Sequence, residues 1–181
     1  MRAFISGVVA TLLVAILVAC LLFYSGLIPA NADAQAGGLE QWAAGASLAG
    51  TLKRQAPRGP NPVPLTEANL VEGVRLYADH CAACHGSSAG KAAASAIARG
   101  EYPDPPQLAD DGVEDDPEGY TFWKVKHGIR LTGMPSWKSD LSDRQIWTLA
   151  LFLKHMDKLP PAAEAAWKKV PPPQPDPGPV K

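Results

Sequence analysis

The sequence has little charge of either sign. Only 19% of its 181 residues are charged, and 17 basic residues nearly cancel 18 acidic ones to leave a net charge of −1. Proteins that bind nucleic acid usually carry clustered Lys and Arg, so this balance argues against a nucleic-acid partner. The length also excludes a large α/β barrel or a two-domain enzyme. We therefore expect one modest domain with a small core.

A long uncharged segment opens the chain. After Arg2, residues 3–28 contain no charged side chain, and a helix of this length, rising ~1.5 Å per residue, crosses a hydrocarbon core of ~30 Å. Residues 1–28 are therefore predicted to be a transmembrane anchor. Because Arg2 is the only charged side chain before the run, the positive-inside tendency leaves the rest of the chain in the periplasm. The predicted location is the cytoplasmic (inner) membrane, with a single pass.

Two processing signals lie in or near this segment. Residues 30–32 (A-N-A) match a signal-peptidase site, and residues 17–20 (L-V-A-C) resemble a lipobox with Cys20 as the lipidated residue. The apolar run is longer than the roughly 7 to 15 residues of a signal-peptide core. This length favours an anchor or an uncleaved signal, and every one of these interpretations predicts export.

Composition divides the remainder into three parts. Residues 29–65 are rich in Ala, Gly and Pro and form a predicted linker, in which apolar residues at spacings of three and four indicate a weak amphipathic helix. That helix would lie on the bilayer surface or pack on the next domain. Residues 66–158 carry the motifs of the functional domain. Residues 159–181 are rich in proline and are predicted to form an extended, disordered tail.

The most informative motif is Cys81-Ala82-Ala83-Cys84-His85. In C-x-x-C-H, two thiols one turn apart can add to the two vinyl groups of one haem, and the adjacent His brings a ring nitrogen to the iron. We therefore predict one covalently bound haem c, with His85 as an iron ligand.

Three other interpretations of the two cysteines explain less. A thioredoxin-like redox pair needs a βαβ context that this region lacks, and a zinc site needs two further ligands where only His80 is near. A structural disulfide between Cys81 and Cys84 fits an oxidising compartment but leaves His85 without a role.

A second iron ligand must come from elsewhere, and the candidates are Met134, Met156, His80, His127 and His155. Met134 lies in the loop T-G-M-P-S-W, marked by Gly and Pro, which can hold a thioether against the opposite haem face. Met156 falls near the end of a predicted helix, where core packing is more common. Met134 is therefore the expected ligand, and His127, within reach of the same loop, is the principal alternative.

With these residues identified, the segment 66–158 resembles the class I c-type cytochromes, and most closely the small, membrane-anchored bacterial monohaem cytochromes. The features that carry the resemblance are Gly73, Tyr77, the Cys81 to His85 motif, Pro106-Gln107-Leu108, Gly133-Met134-Pro135 and a final aromatic helix. The resemblance implies an all-α fold of a few helices around one haem. The site residues it implies are Cys81 and Cys84 for the thioether bonds, His85 and Met134 as axial ligands, and Pro106, whose carbonyl would accept a hydrogen bond from His85. It also implies that the first helix crosses the last, with Gly73 and Tyr77 facing Trp147, Leu149 and Phe152.

Local signals predict where the helices of this domain begin. Thr66 is a predicted N-cap for the first helix. Ser142 and Gln145 match a capping box for the last one. Between them, a further helix is predicted with Asp116 as its cap and Pro117 in its first position.

A basic stretch brackets the predicted methionine ligand and consists of Lys124, Lys126, Arg130, Lys138 and Arg144. One hypothesis is that it presents positive charge around the haem edge and steers an acidic redox partner. Ordinary surface charge is an equally good interpretation.

The chemistry predicts the function. A haem iron with both axial positions filled has no site for a substrate or for oxygen, so it can only change valence. We predict a one-electron carrier rather than an enzyme, with redox proteins as partners and no small-molecule substrate. Two alternatives are a tightly bound haem subunit of a larger dehydrogenase or oxidase complex, and an open-iron haem enzyme or sensor if Met134 does not ligate.

Overall fold

The N-terminal unit of the protein is a single exposed helix. The computed structural model describes residues 1–88 and 95–173, and the chain divides into two units, Met1–Ala34 and Gln35–Lys181. In the first unit, Arg2–Tyr24 forms helix α1, with no buried residue. Among the described residues, α1 is the one helix long and apolar enough to cross a membrane. This agrees with the predicted anchor.

The second unit is helical. Its helices are α2 (Gly38–Gln55), α3 (Glu67–His80), α4 (Ala82–His85), α5 (Ala96–Arg99), α6 (Glu118–His127), α7 (Asp143–Lys154) and α8 (Pro161–Trp167), with a 3-10 turn at Val113–Asp115. Over the described ranges, β-type pairing is limited to isolated bridge residues, Ser87 and Ser95. The predicted all-α class is confirmed.

Helix α7 is the centre of the core. Every residue from Ile146 to Leu153 is buried, and α3 and α6 pack directly against this helix. Burying a large apolar side chain stabilises a fold by about 1.5 to 3 kcal/mol, so α7 supplies much of the driving force for folding this domain.

Helix α3 crosses α7 at Gly73, where there is no room for a side chain. A Cβ at Gly73 would lie 2.5 Å from Phe152 Cβ and 2.8 Å from the Thr148 carbonyl oxygen. One turn along, the Tyr77 ring is fully buried and meets Phe152 edge-on at 5.6 Å between centroids. The implied crossing of the first and last helices through Gly73 and Tyr77 is present, and it fixes the end of α3 that leads into Cys81.

The helix caps at both sides of this crossing follow the sequence signals. Thr66 Oγ1 accepts a hydrogen bond from the Asn69 backbone N–H at 3.2 Å and caps α3. At α7, the Gln145 N–H donates to Ser142 Oγ and the Gln145 side chain accepts from the Ser142 N–H at 3.0 Å, forming the predicted capping box. Such caps stabilise a helix start by about 1 kcal/mol each.

The predicted start of α6 is wrong by one residue. Pro117, expected in the first helical position, is instead the cap, with φ −59° and ψ 133°, and the helix begins at Glu118. Asp116, the expected cap, accepts a hydrogen bond from Lys124 Nζ at 2.6 Å. The Asp116 carboxylate, which the sequence predicted to cap the helix, therefore forms an ion pair with Lys124 of that helix.

The domain extends beyond the predicted boundary at residue 158. In place of an extended tail, Pro161–Trp167 forms α8, which packs on α3. Trp167 is buried, with its ring edge-on to Tyr77 at 5.2 Å and to Phe152 at 5.4 Å between centroids, and Val170 is buried after it. The prediction of a disordered tail is thus wrong for residues 161–170, and residues 174–181 lie outside the described part of the chain.

The predicted linker also joins the domain at its C-terminal end. Leu52 of α2 is 5% exposed and α2 packs on α6, whereas Leu39 and Trp42 near the start of α2 are 78% and 70% exposed. Further on, Asn61 Nδ2 donates to Glu118 Oε1 at 2.8 Å and to the Trp147 carbonyl at 3.0 Å. Of the two placements expected for the amphipathic helix, packing on the following domain describes its second half.

The close crossing of α3 and α7 predicts that Gly73→Ala lowers the free energy of unfolding. Because the new Cβ would overlap Phe152 and the Thr148 carbonyl, the helices must separate, and we expect a loss of about 1 to 3 kcal/mol in the free energy of unfolding. Denaturant unfolding of the full-length protein in detergent measures this value. Gly50→Ala is the matched control, since a Cβ there meets nothing within 4 Å and Ala favours a helix interior over Gly. Equal stability changes in the two variants would contradict the close crossing.

The packing of α8 predicts that Trp167 stabilises the core. Trp167→Ala removes the ring between Tyr77 and Phe152 and should lower the free energy of unfolding by about 3 to 5 kcal/mol. Lys169→Ala, at an exposed position nearby, should change it by less than about 0.5 kcal/mol. If both variants unfold like the original protein, α8 is not part of the folded domain.

Candidate haem site

The C-x-x-C-H motif forms a tight turn at the end of α3. Cys81 ends α3 and begins α4, and its carbonyl accepts the His85 N–H at 2.9 Å. Both Cys81 and Cys84 are free thiols. Burial, and secondarily Cys84, raises the pKa of Cys81 to about 12, while burial and then Glu101 raise the pKa of Cys84 to about 11. Two protonated thiols therefore lie one helical turn apart beside the histidine.

The imidazole of His85 contacts a backbone carbonyl. Its Nδ1 lies 2.8 Å from the Pro106 carbonyl oxygen, the partner that the resemblance implied. Because that oxygen can only accept, Nδ1 is the donor in this contact. In a neutral ring held this way, Nε2 has the lone pair that can bind a metal ion.

The Tyr77 hydroxyl ties the core to this motif. It donates to the Gly86 carbonyl at 2.9 Å and approaches the His85 carbonyl at 3.2 Å. Burial, and to a lesser extent Cys81, raises the pKa of Tyr77 far above its ordinary value. The sequence placed Tyr77 in the helix crossing but did not show that it also positions the turn after His85.

The loop that carries Met134 is fixed by backbone hydrogen bonds. Thr132 Oγ1 accepts from the Met134 N–H at 3.1 Å and donates to the Ile129 carbonyl at 2.7 Å, while the Ile129 N–H donates to the Met134 carbonyl at 3.3 Å. The loop returns to α6, where the Trp137 N–H donates to the Val125 carbonyl at 3.2 Å. Met134 is half-buried and packs against the core. Its thioether is therefore held in place rather than free in solvent.

Glu101, which the sequence analysis did not single out, connects the two halves of the site. Its Oε1 lies 3.2 Å from Cys84 Sγ, and a Cβ at Gly133 would lie 2.6 Å from its Cδ. The cysteine motif and the residue before Met134 are thus both in contact with one side chain. In the sequence, Glu101 is one of many acidic residues, and only the fold distinguishes it.

The other candidate ligands have different surroundings. The ring of His127 is exposed and lies 4.9 Å from the Trp123 ring, and the ring of His80 lies 4.9 Å from that of Trp137. His155 Nδ1 is 2.9 Å from the Leu151 carbonyl, within its own helix turn. Met156 is half-buried against the core. Met134 follows Gly133, which meets Glu101, the side chain that contacts Cys84.

The donor set fits a covalently attached haem. Two free thiols at C-x-x-C spacing can each form a thioether, and the adjacent imidazole has its metal-binding nitrogen free. Imidazole and thioether are both established ligands of haem iron in proteins. Among the residues described, no group of three or more His, Cys, Asp or Glu side chains could hold a metal ion without the porphyrin.

The basic stretch is less positive in the fold than in the sequence. Lys124 pairs with Asp116 at 2.6 Å and Lys126 with Asp143 at 2.7 Å. The other three basic residues, Arg130, Lys138 and Arg144, are exposed. Any electrostatic steering by this surface would therefore depend on fewer charges than the sequence indicated.

Comparison with known families identifies this domain. Residues 68–153 match the family model described as cytochrome C oxidase, cbb3-type, subunit III. No curated protein matches the chain. The matched segment runs from the first turn of α3 to the last turn of α7 and includes the C-x-x-C-H motif and Met134. It confirms the resemblance to the c-type cytochromes, which carry a covalently bound c-type haem.

The surroundings of Tyr77 predict how stability depends on pH. The unfolded chain releases the phenol proton near pH 10.0, whereas the folded protein retains it because its pKa is raised. The contribution of Tyr77 is therefore complete below pH ~10 and is lost as the pH rises above that value. Tyr77→Phe should lower stability at neutral pH by about 1 to 2 kcal/mol, through the lost hydrogen bonds, and should lose less stability between pH 9 and 11. Denaturant unfolding across this range measures the loss. If both proteins lose stability equally, Tyr77 is not the cause of the pH dependence.

Proposed function

We propose that this protein, whose residues 68–153 form a c-type cytochrome domain, carries single electrons in the periplasm. In this proposal, one covalently attached haem is ligated by His85 and Met134. The observation that carries the proposal is the His85 Nδ1 contact with the Pro106 carbonyl beside two free thiols. Together these groups offer one histidine nitrogen and two sulfur atoms to the same cofactor.

Attachment would use the two sulfur atoms of the motif. Cys81 and Cys84 would each form a thioether with a vinyl group, so the cofactor cannot dissociate after export. The Pro106 carbonyl would keep His85 in one tautomer and raise the basicity of its free nitrogen. Tyr77, through the Gly86 carbonyl, would hold the turn that sets the position of the ring.

Met134 would fill the remaining axial position. A haem with one imidazole and one thioether ligand has a higher reduction potential than a haem with two imidazole ligands, because the thioether favours ferrous iron. With both axial positions filled, neither oxygen nor a substrate reaches the iron. This supports an electron-transfer role over catalysis, which is also the role expected of the matched family.

The anchor would set where the electrons are delivered. Helix α1 would retain the protein at the inner membrane with the haem domain on the periplasmic side, as the single charge of Arg2 before the apolar run favours. Tethering raises the local concentration of a carrier near membrane-bound donors and acceptors without any new contact. Its partners would be redox proteins at that surface.

A second candidate is a haem subunit that stays bound within a larger oxidase complex. The description of the matched family, a subunit of a cbb3-type oxidase, favours it. Mild detergent extraction distinguishes the two, since a carrier should purify alone and a subunit should purify with oxidase polypeptides in fixed ratio.

The axial ligand gives the decisive test of the carrier. Full-length protein produced with a periplasmic haem-attachment system should contain one haem per chain, and its ferric form should show the weak long-wavelength band of methionine-sulfur ligation. Met134→Ala should abolish this band and lower the midpoint potential, because it removes the ligand that favours ferrous iron. Met156→Ala and His127→Ala should retain the band.

Other results would point elsewhere. A covalent haem without the band, which binds carbon monoxide readily when reduced, would indicate an open iron and the chemistry of a sensor or peroxidase. Loss of the band in His127→Ala, with Met134→Ala unaffected, would contradict the proposed ligand. Absence of covalent haem would contradict the proposal as a whole.

A further inference from the structure

The carboxylate of Glu101 lies at the junction of the two segments that would hold the haem. Its Oε1 is 3.2 Å from Cys84 Sγ, the atom that would form the second thioether. On its other side it fills the space left by Gly133, the residue before Met134. Neither the motif nor the ligand pair requires an acidic residue here.

The position of Glu101 does not depend on the thiol alone. Its backbone N–H donates to the Ala98 carbonyl at 3.4 Å, directly after α5, and Ser95 caps that helix by accepting the Ala98 N–H. The side chain then packs over Gly133, where a Cβ would come within 2.6 to 3.0 Å of Glu101 Cδ, Cγ and Oε2. The backbone hydrogen bond to Ala98 and the space beside Gly133 therefore direct the Glu101 carboxylate toward the site.

Glu101 is not a partner in the ion pairs that Glu72, Asp116, Asp143, Asp157 and Glu164 make in the described part of the chain. Glu101 is half-buried, and its Oε1 accepts a hydrogen bond from the Cys84 thiol. A thioether sulfur has no hydrogen to donate, so attachment at Cys84 would remove that partner and leave a negative charge beside the cofactor.

We propose that Glu101 lowers the reduction potential of the haem by stabilising ferric over ferrous iron. Oxidation adds one positive charge at the iron, and a negative charge in a partly desolvated site attracts the oxidised form more strongly. One electron leaves the haem for a redox partner and no other bond or proton changes. The inference rests on the proposed function, in that the haem must be attached at Cys84 and cycle between the two valences.

Glu101 would then oppose the effect of the methionine ligand. The thioether of Met134 favours ferrous iron, whereas the carboxylate favours ferric iron, so the potential is set between the two. Glu101 acts on the reduction potential through its negative charge and does not ligate the iron. Its removal should change the potential and leave the ligand spectrum unchanged.

The test is a spectroelectrochemical titration of the full-length, haem-loaded protein in detergent. Glu101→Gln keeps the shape of the side chain and removes its charge. At a fixed applied potential, the ratio of reduced to oxidised haem should rise on the order of threefold to tenfold, where tenfold corresponds to about 59 mV for one electron. Glu101→Asp, which keeps the charge, should stay closer to the original potential than Glu101→Gln does.

Glu72→Gln is the matched control. Glu72 is exposed on α3 beside Arg75, and this change removes the same charge from the chain without touching the site. It should leave the potential near that of the original protein. A shift equal to that of Glu101→Gln would show an effect of net charge and overturn the proposal.

The remaining outcomes separate this inference from the proposed function. If Glu101→Gln has covalent haem, the methionine band and an unchanged potential, the role of Glu101 is refuted while the carrier stands. If Glu101→Gln does not retain haem, Glu101→Ala is titrated in its place, and an unchanged potential there has the same meaning. If the original protein lacks covalent haem or the methionine band, the proposed function itself fails.

Discussion

The close crossing of α3 over α7 at Gly73 is the constraint on which the rest of the domain depends. Gly73 allows the two helices to approach until Phe152 and the Thr148 carbonyl occupy the space of a side chain. The same crossing buries Tyr77, whose hydroxyl reaches past the end of α3 to the turn that follows His85. The geometry of the cysteine motif is therefore set by packing in the core and not by the motif alone.

Backbone groups position most of the candidate site. The Pro106 carbonyl holds the His85 ring, the Gly86 carbonyl accepts from Tyr77, and hydrogen bonds from Thr132 and Ile129 shape the loop around Met134. Backbone positions are less mobile than long side chains, so little reorganisation should accompany a change of iron valence. A rigid site of this kind suits electron transfer, in which only the charge of the iron changes.

Charge around the site is arranged by the fold and not by position in the chain. Lys124 and Lys126 belong to the basic stretch, yet each pairs with an aspartate. Glu101 is one of many acidic residues in the sequence, yet the fold brings its carboxylate into contact with Cys84 of the motif. The electrostatic roles of these residues therefore follow from their contacts in the fold and differ from those expected from the charges nearby in sequence.

The sequence by itself determined the features whose signals are local. The C-x-x-C-H motif, the caps at Thr66 and Ser142 and the apolar run of α1 involve residues a few positions apart, and the structure contains each of them. Only the tertiary structure decided that α8 belongs to the core, that Asp116 pairs with Lys124 in place of capping α6, and that Glu101 lies between Cys84 and Gly133. Each of those results depends on contacts between distant parts of the chain, where burial of Trp167 or a competing ion pair outweighs the weak local preference for an extended tail or a helix cap.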